Sequence, residues 1–356
     1  VTLFLAISAT LLCLATVLPI SQAKVWWVRV LDFPRLQIAL LIAAWLLMAL
    51  CSLALGWRVS IFFWVLMLVS LIYQLWWIYP NSPLHRKEVI GIGTDHKLPE
   101  ITLLVSNVLM DNRDSKPLIS LIENYRPHLF ATLESDSWWQ QQLDTLSDYP
   151  HRLACALDNK YGMHVYSRIP IIEGHVDFLV EDDIPSMSMR VQLEQQATVR
   201  IHIVHPTPPV IGENLTSTER DVELLVLANS LNDTDEPTIV TGDLNDVAWS
   251  KTTRLFRRIS GLLDLRTGRG MFNTFNAKYW FVRWPLDHIF VSSHFRVVEV
   301  DRLPYVGSDH FPVFAKLALG SANPDAAHLE LEDVDHDLVD KTLDTTAAKE
   351  AKNPSL

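Results

Sequence analysis

The chain has 356 residues, 49% of them hydrophobic, a formal net charge of −11 and three cysteines. It is too apolar for an ordinary soluble domain and long enough for one sizeable domain plus a membrane segment. Cys13 and Cys51 fall inside apolar runs and leave only Cys155 outside, which excludes a disulfide framework or a cysteine-built zinc centre in the polar part.

The hydrophobic excess lies at the front. Leu3 to Ile20, Leu36 to Trp57 and Val59 to Tyr79 contain no charge, and each is near the roughly 20 residues a helix needs to cross a bilayer. Trp26, Trp27, Trp57, Trp76, Trp77 and Tyr79 stand at their ends, where amphipathic rings prefer the membrane interface. An all-α bundle of about three transmembrane helices is expected over residues 1–79. Ser21-Gln22-Ala23 has the small residues of a signal-peptidase site, but no basic stretch opens the segment and its apolar run is long, so a retained helix is expected. Lys24, Arg29 and Arg35 lie in the first loop and Arg86 and Lys87 after the third span, against Arg58 alone in the second loop. An integral protein of the plasma (inner) membrane is expected, and the positive-inside rule puts its polar domain in the cytoplasm; cleavage of the first segment would put it outside.

Residues 80–99, opened by Pro80-Asn81-Ser82-Pro83, read as a linker. From Ile101 short β-rich runs alternate with helical periods. Strands are expected at Ile101–Ser106, Leu129–Leu133, Met163–Ser167, Val199–His205, Thr238–Thr241, Leu286–Ser292, Phe295–Val300 and Phe311–Leu319. Helices are expected at Pro117–Tyr125 and Ser217–Leu231. Interleaving of this kind over residues 100–320 argues one α/β domain. Beyond Gly320 the chain turns acidic and loses its aromatics, and residues 321–356 read as a disordered, solvated tail.

Polar residues recur where these strands end. Asn107, Glu134 and His205 follow three of them, and Asp243 and Asn245 follow Thr238–Thr241. Asp287 opens another, and Asp309-His310 precedes the last. Ligand sites form at strand ends where sheet edges converge. Gly242-Asp243-Leu244-Asn245 offers two oxygen-bearing side chains two residues apart, a place to hold a hard cation.

The order of these pieces resembles the endonuclease/exonuclease/phosphatase superfamily over roughly 101–319. Ser106-Asn107-Val108, Leu133-Glu134, Gly162 with Ser167-Arg168-Ile169-Pro170-Ile171, Val204-His205-Pro206, Gly242-Asp243-Leu244-Asn245, Leu286-Asp287-His288-Ile289 and Gly307-Ser308-Asp309-His310-Phe311-Pro312 are similar to its seven motifs, in sequence order. The resemblance implies a four-layer sandwich, two mixed β-sheets face to face with helices outside. It also implies Glu134 and Asn107 as ligands of Mg2+, or of Mn2+ in its place. Asp243 would orient or deprotonate the attacking water, Asn245 would hold the scissile phosphate, and His310 would bond a phosphate oxygen or move a proton. Asp309 would fix the tautomer of His310, His205 would serve as a second imidazole, and Asp287 would support a histidine or the metal. Arg168 is read as structural, paired with a carboxylate.

Leu109 stands where abasic-site endonucleases carry an acid, and residues 100–320 hold 20 Lys and Arg against 29 Asp and Glu. An acidic surface is a poor binder of the nucleic-acid backbone. The expectation is therefore a membrane-anchored, metal-dependent hydrolase of phosphodiesters or phosphomonoesters whose partners are the lipid bilayer and a phosphate-ester substrate. A nuclease acting on DNA or RNA is the alternative, and an inactive membrane-tethered interaction module the third reading. The aromatic stretch Tyr279-Trp280-Phe281-Val282-Arg283-Trp284 before Asp287 either rims the site, faces lipid or packs.

Overall fold

The computed structural model describes residues 1–21, 23–210, 212–232, 235–326 and 328–355; Gln22, in the middle of the small-residue site, lies outside them. The front of the chain forms α1 (Thr2–Val17), the single turn α2 (Trp26–Arg29), α3 (Arg35–Ala54) and α4 (Ile61–Ile78). Three helical stretches, Thr2–Ser21, Arg35–Ala54 and Ile61–Asn81, are long and apolar enough to cross a membrane. Their inward faces meet through Leu5, Ile42, Trp45 and Met67, while Leu3, Phe4, Leu40, Phe62 and Val65 stay exposed, as helices solvated by lipid require. A polar plane marks one end of the bundle. Gln74 donates to Thr16 at 3.1 Å and accepts from Arg35 at 3.2 Å, and Arg35 bonds Asp32 at 2.6 Å.

At that end the bundle is docked on the polar domain. Val25 pairs with Thr216 in an isolated bridge, Trp249 donates its indole N–H to the Asp32 carbonyl at 2.7 Å, and Arg29 bonds Thr252 at 2.9 Å. Ile78, Val247, Trp249 and Leu286 bury one another beside Phe33, Leu36 and Trp284, each large side chain contributing roughly 1.5–3 kcal/mol. The loop before α3 therefore lies on the same side as the domain, as three spans demand. Arg29 and Arg35 answer to buried carboxylates here, so their value as signals of membrane side is reduced.

Twelve strands follow among the described residues: β1 (Glu100–Asn107), β2 (Leu129–Leu133), β3 (His151–Cys155), β4 (Met163–Ser167), β5 (Ile171–Asp177), β6 (Ser186–Gln192), β7 (Thr198–Val204), β8 (Thr238–Asp243), β9 (Leu263–Asp264), β10 (Asp287–Val291), β11 (Phe295–Arg302) and β12 (Val313–Leu319). They build two six-stranded sheets, ordered β11-β12-β1-β2-β4-β3 and β5-β6-β7-β8-β10-β9. The helices are α5 (Lys116–Tyr125), α6 (Ser137–Leu143), α7 (Thr218–Leu231), α8 (Lys251–Ser260), α9 (Asp333–Leu343) and α10 (Thr346–Glu350). Period-two alternation explains the layers. Leu103, Val105, Leu129, Ala131, Ile239 and Ile289 point between the sheets. Leu104 and Phe130 point the other way, onto Leu118, Ile122 and Trp139 of α5 and α6. Val240 and Phe290 likewise meet Leu224, Leu227 and Phe256 of α7 and α8. This is the expected four-layer α/β sandwich.

Two expectations need correction. The segment 80–99 is packed on the domain: Glu88 bonds Arg257, Val89 is buried in the inter-sheet core, and Gly91 bridges Val297 beside β11. The acidic stretch beyond Gly320 is ordered as α9 and α10 over its described part. Its carboxylates have cations waiting, since Arg258 bonds Glu332 and, at 3.0 Å, Asp335, and Leu338 and Val339 lie on the α7–α8 core.

Candidate active site

Sheet direction gathers the site. β1 runs parallel to β2 and β7 to β8, so Asn107, Glu134, His205 and Asp243 all emerge at carboxyl ends. β10 and β12 run antiparallel to their neighbours, which brings Asp287 and His310 to the same edge. Asp243 and Asp287 face each other in register, a placement of like charges that is unfavourable alone. His310 resolves it. Its Nδ1 lies 2.8 Å from Asp287 Oδ2 and its Nε2 lies 3.4 Å from Asp243 Oδ2.

Asn107 is the bridge between sheets. Its amide nitrogen donates to Glu134 at 2.8 Å and to Asp243 at 3.2 Å, while its oxygen accepts from the Leu109 N–H at 3.0 Å. His205 completes the group with Nε2 at 3.8 Å from Asp243 Oδ2. Ligand atoms of Asp243, Asp287 and His310 lie within 4.8 Å of one another. The backbone is unusual at these positions: Glu134 and Asn245 take φ of 55° and 51°, conformations that cost a non-glycine residue free energy and cluster at functional sites. Gly242 is required outright, because φ is 141° and a Cβ there would sit 2.0 Å from the Val204 carbonyl oxygen.

Electrostatics follow from burial. His310 would be pushed down by burial, but the carboxylates of Asp287 and Asp243 outweigh that and hold it up at about 10, as imidazolium. Burial raises the Glu134 carboxyl above its ordinary range, with His205 and the Asn107 hydrogen bond opposing. Two buried atoms, Asp287 Oδ1 and His205 Nδ1, have no hydrogen-bond partner among the described residues.

Six of the eight expected residues converge as side chains, Asn245 reaches the group only through its backbone N–H to Asp243, and three differ in detail from expectation. Asp287, not Asp309, bonds His310; Asp309 is half-buried and offers its carbonyl to the Ala277 N–H at 2.6 Å. The reason is register, since Asp287 stands at the start of β10 directly beneath the histidine. Asn245 spends its amide N–H2 on the Pro206 carbonyl at 3.0 Å, buckling the ends of β7 and β8. Asn107 turns its nitrogen rather than its oxygen to the carboxylates. Arg168 bonds the Arg126 carbonyl at 3.1 Å rather than a carboxylate. Sequence reasoning missed Tyr161, whose ring packs on His205 at 5.2 Å, and Phe275, which packs on His310 at 4.9 Å. Gly162 is the local signal beside the first: a Cβ at Gly162 would lie 2.2 Å from the Ser135 carbonyl oxygen, so glycine is needed where the chain passes Ser135.

A family model described as the Endonuclease/Exonuclease/phosphatase family matches residues 104–310. No curated protein matches the chain. Among solved structures, it is similar to the endonuclease/exonuclease/phosphatase of Beutenbergia cavernae DSM 12333, with 17% identity over 63% of this chain and 72% of that one and a TM-score of 0.50. It is also similar to D. rerio TDP2 humanized by 14 mutations, with 13% identity, 61% and 98% coverage and a TM-score of 0.52. The human Nocturnin catalytic domain with bound sulfate gives 18% identity, 64% and 96% coverage and a TM-score of 0.50. At such identities the structural likeness establishes the fold, and the family match spans more than half the chain, including every one of the converging side chains. The chain therefore belongs to the Endonuclease/Exonuclease/phosphatase family, hydrolases of phosphoric ester bonds.

Proposed function

We propose that this protein hydrolyses a phosphodiester or phosphomonoester presented at the bilayer surface, by metal-assisted attack of water. One observation carries the reading, an unbroken aromatic path from His310 to the membrane helices. Phe275 packs on His310, Trp284 stacks on Phe275 at 5.9 Å, Phe33 meets Trp284 edge-on at 5.6 Å, and Gln37 in the first turn of α3 donates to the Phe281 carbonyl at 3.2 Å. Tyr279, Trp280 and Phe281 project beside it, Trp280 with 80% of its surface exposed. Exposed aromatics at the end of a span favour the headgroup layer, so lipid-borne phosphate is within reach of the cleft. The acidic balance of the domain opposes a nucleic-acid substrate.

The donor set suits a hard divalent cation such as Mg2+ or Mn2+. It is rich in oxygen, Glu134 is a half-buried carboxyl with Asn107 as its hydrogen-bond donor, and Asp287 Oδ1 is buried without a partner among the described residues. Glu134 would hold the ion, its carboxylate oriented by the Asn107 N–H2, and Asn107 would join it as a ligand by turning its oxygen away from the Leu109 N–H; the ion when bound would polarise a phosphate oxygen and offset the charge that builds there. Asp243 has its Oδ1 fixed by the Asn245 N–H at 2.9 Å, while Oδ2 takes the Asn107 N–H at 3.2 Å and faces both imidazoles; in exchange for one of these contacts Oδ2 orients water and accepts its proton. His310, held as a cation by Asp287, donates toward the phosphate, and His205 offers a second imidazole for the leaving group. Asn245 acts by fixing the turn, and Asp309 lies outside this relay.

The test uses the full chain in liposomes, with Mg2+ or a chelator, on phospholipid vesicles, an aryl phosphodiester, an aryl phosphomonoester and single-stranded DNA. Metal-dependent release that is fastest from lipid and lost in His310→Ala is expected. Faster turnover of DNA would move the assignment to a nuclease, and no turnover of any substrate would favour an interaction module.

A further inference from the structure

A cavity of about 240 Å³ lies where the third span meets the domain, and none of the converging catalytic side chains line it. Trp77, in the last turn of α4, and Trp249 form its apolar walls; Arg86, Lys87, Arg254 and Arg257 bring cationic groups to it. Only one of the four is neutralised. Arg257 bonds both oxygens of Glu88, the second at 2.6 Å, and that carboxylate also accepts from the Asp264 N–H. Arg254 has no hydrogen bond or ion pair on its guanidinium among the described residues; it lies over the Trp77 ring at 4.8 Å. The nearby tail carboxylates of Glu332 and Asp335 are taken by Arg258. Arg86 and Lys87 are exposed and likewise without an ion pair among the described residues.

Position selects the anion. Trp77 also carries Arg35 over its ring at 5.1 Å, and Arg35 belongs to the polar plane with Gln74 and Thr16 that ends the bundle. The cavity therefore opens at the depth where headgroup phosphates lie. A half-buried guanidinium with aromatic contact and no acid is an incomplete ion pair, and basic pockets beside membrane helices bind anionic headgroups.

We propose that this cavity is a binding site for the phosphate of one anionic phospholipid. The phosphate bonds Arg254 between Arg86 and Lys87, and the glycerol and upper acyl chain lie along Trp77 and Trp249. A choline or ethanolamine headgroup would bring its own cation against these three and bind less well. The site is independent of catalysis and does not rest on the substrate assignment.

Native mass spectrometry of the full chain in detergent micelles tests it, with equal amounts of phosphatidylglycerol and phosphatidylcholine offered together. Lipid bound around the spans is common to both species, so the site reads out as the excess of phosphatidylglycerol. Removing each cation should reduce that excess about fivefold, in Lys87→Gln and Arg254→Gln singly and multiplicatively together, while Arg254→Lys retains most of it. Lys87 is exposed, so its variant stays readable should the other unfold. Equal retention of the two lipids by the native chain, or an unchanged excess in the double variant, would overturn the proposal. Excess inorganic phosphate that displaces phosphatidylglycerol would make the occupant free phosphate and overturn the lipid assignment; retention against it supports the lipid.

Discussion

Two groups of buried charge stand three residues apart in the chain and behave oppositely. Around Asp246, the acids Asp32, Asp221 and Asp246 face Arg29, Arg35 and Arg220, three against three. Arg29 lies 3.9 Å and Arg220 3.4 Å from Asp246, which also accepts from Ser250 at 2.5 Å; Thr252 links Arg29 to Asp221. Around Asp243, the cationic or imidazole partners of Glu134, Asp243 and Asp287 among the described residues are His205 and His310, with no arginine or lysine bonded to them there. One group is closed and holds the membrane loop to the domain. The other is short of positive charge, carries strained backbone and leaves a buried carboxylate oxygen, Asp287 Oδ1, without a partner among the described residues, the condition in which a cation completes it; in the closed group the unpartnered buried atom is a donor, Arg35 Nε. The two touch through Arg220, whose guanidinium donates to the Asn245 carbonyl at 2.7 Å. The paired network thereby supports the turn that presents Asp243.

The largest expected effect breaks the open group. Asp243→Asn removes one of two facing carboxylates, so turnover should fall by about 10²- to 10⁴-fold while the unfolding temperature stays level or rises. Activity assays with thermal denaturation in the same detergent check both halves. An enzyme that keeps native turnover, or one that unfolds, would remove the distinction drawn between the two groups.

Next comes the closed group. Arg29→Met strips a buried guanidinium from Asp246 and Thr252, and loss of one partner from a buried pair costs about 3–5 kcal/mol. Denaturant unfolding of the full chain should show that loss, with turnover per folded molecule reduced far less than in Asp243→Asn. A domain excised without residues 1–79 lacks Arg29, Asp32 and Trp77 together, so it should be less stable than the intact chain.

A third kind of buried acid sharpens the comparison, one that is neither paired nor near the cleft. Glu223 on α7 is 3% exposed, its Oε1 has no partner among the described residues, and burial, aided by Glu181, pushes it up to about 8. Between the ordinary carboxyl value near 4.5 and pH 8 the unfolded chain sheds a proton that the folded chain keeps, so folding stability falls as pH rises through this window. Glu223→Gln should match the native chain at pH 4.5 and gain on it steadily to pH 8. A constant difference across that range would mean that Glu223 finds a partner.

What could be read in advance divides along the same physical lines. Short β-rich runs buried on both faces, such as Leu129–Leu133 and Met163–Ser167, were legible to the residue, and the motif order located the converging side chains. β3, β5 and β6 were not, because His151–Cys155 is half exposed and Ser186-Met187-Ser188-Met189 lacks β-branched residues. Asp246 was hidden by its place in a turn beside Asp243, and Arg29 and Arg35 by a rule that counts loop charges without asking for partners. Phe275 and Tyr161 reach their histidines through contacts that no local pattern encodes. The tail was misjudged because its acidity was weighed alone, when Arg258 on α8 supplied the complement.

That complement gives the smallest effect and the finest test of the contrast. Arg258 holds two tail carboxylates of very different exposure: the side chain of Glu332 is 61% exposed and that of Asp335 8%. An exposed pair competes with water and salt and is worth under about 1 kcal/mol, and Glu332→Gln keeps the side-chain oxygen with which Glu332, the N-cap of α9, accepts from the Asp335 N–H; Asp335 in turn accepts from the Glu332 N–H at 2.7 Å, closing a capping box. Glu332→Gln should thus shift the unfolding midpoint barely, and less still in high salt, because screening already weakens the pair. Asp335→Asn should cost more, through the cap as well as the charge, and its cost should persist in salt. Equal, salt-sensitive losses from the two variants would mean that the tail is held by diffuse attraction to Arg258 rather than docked through α9. The closed-group description would then stop at the domain surface.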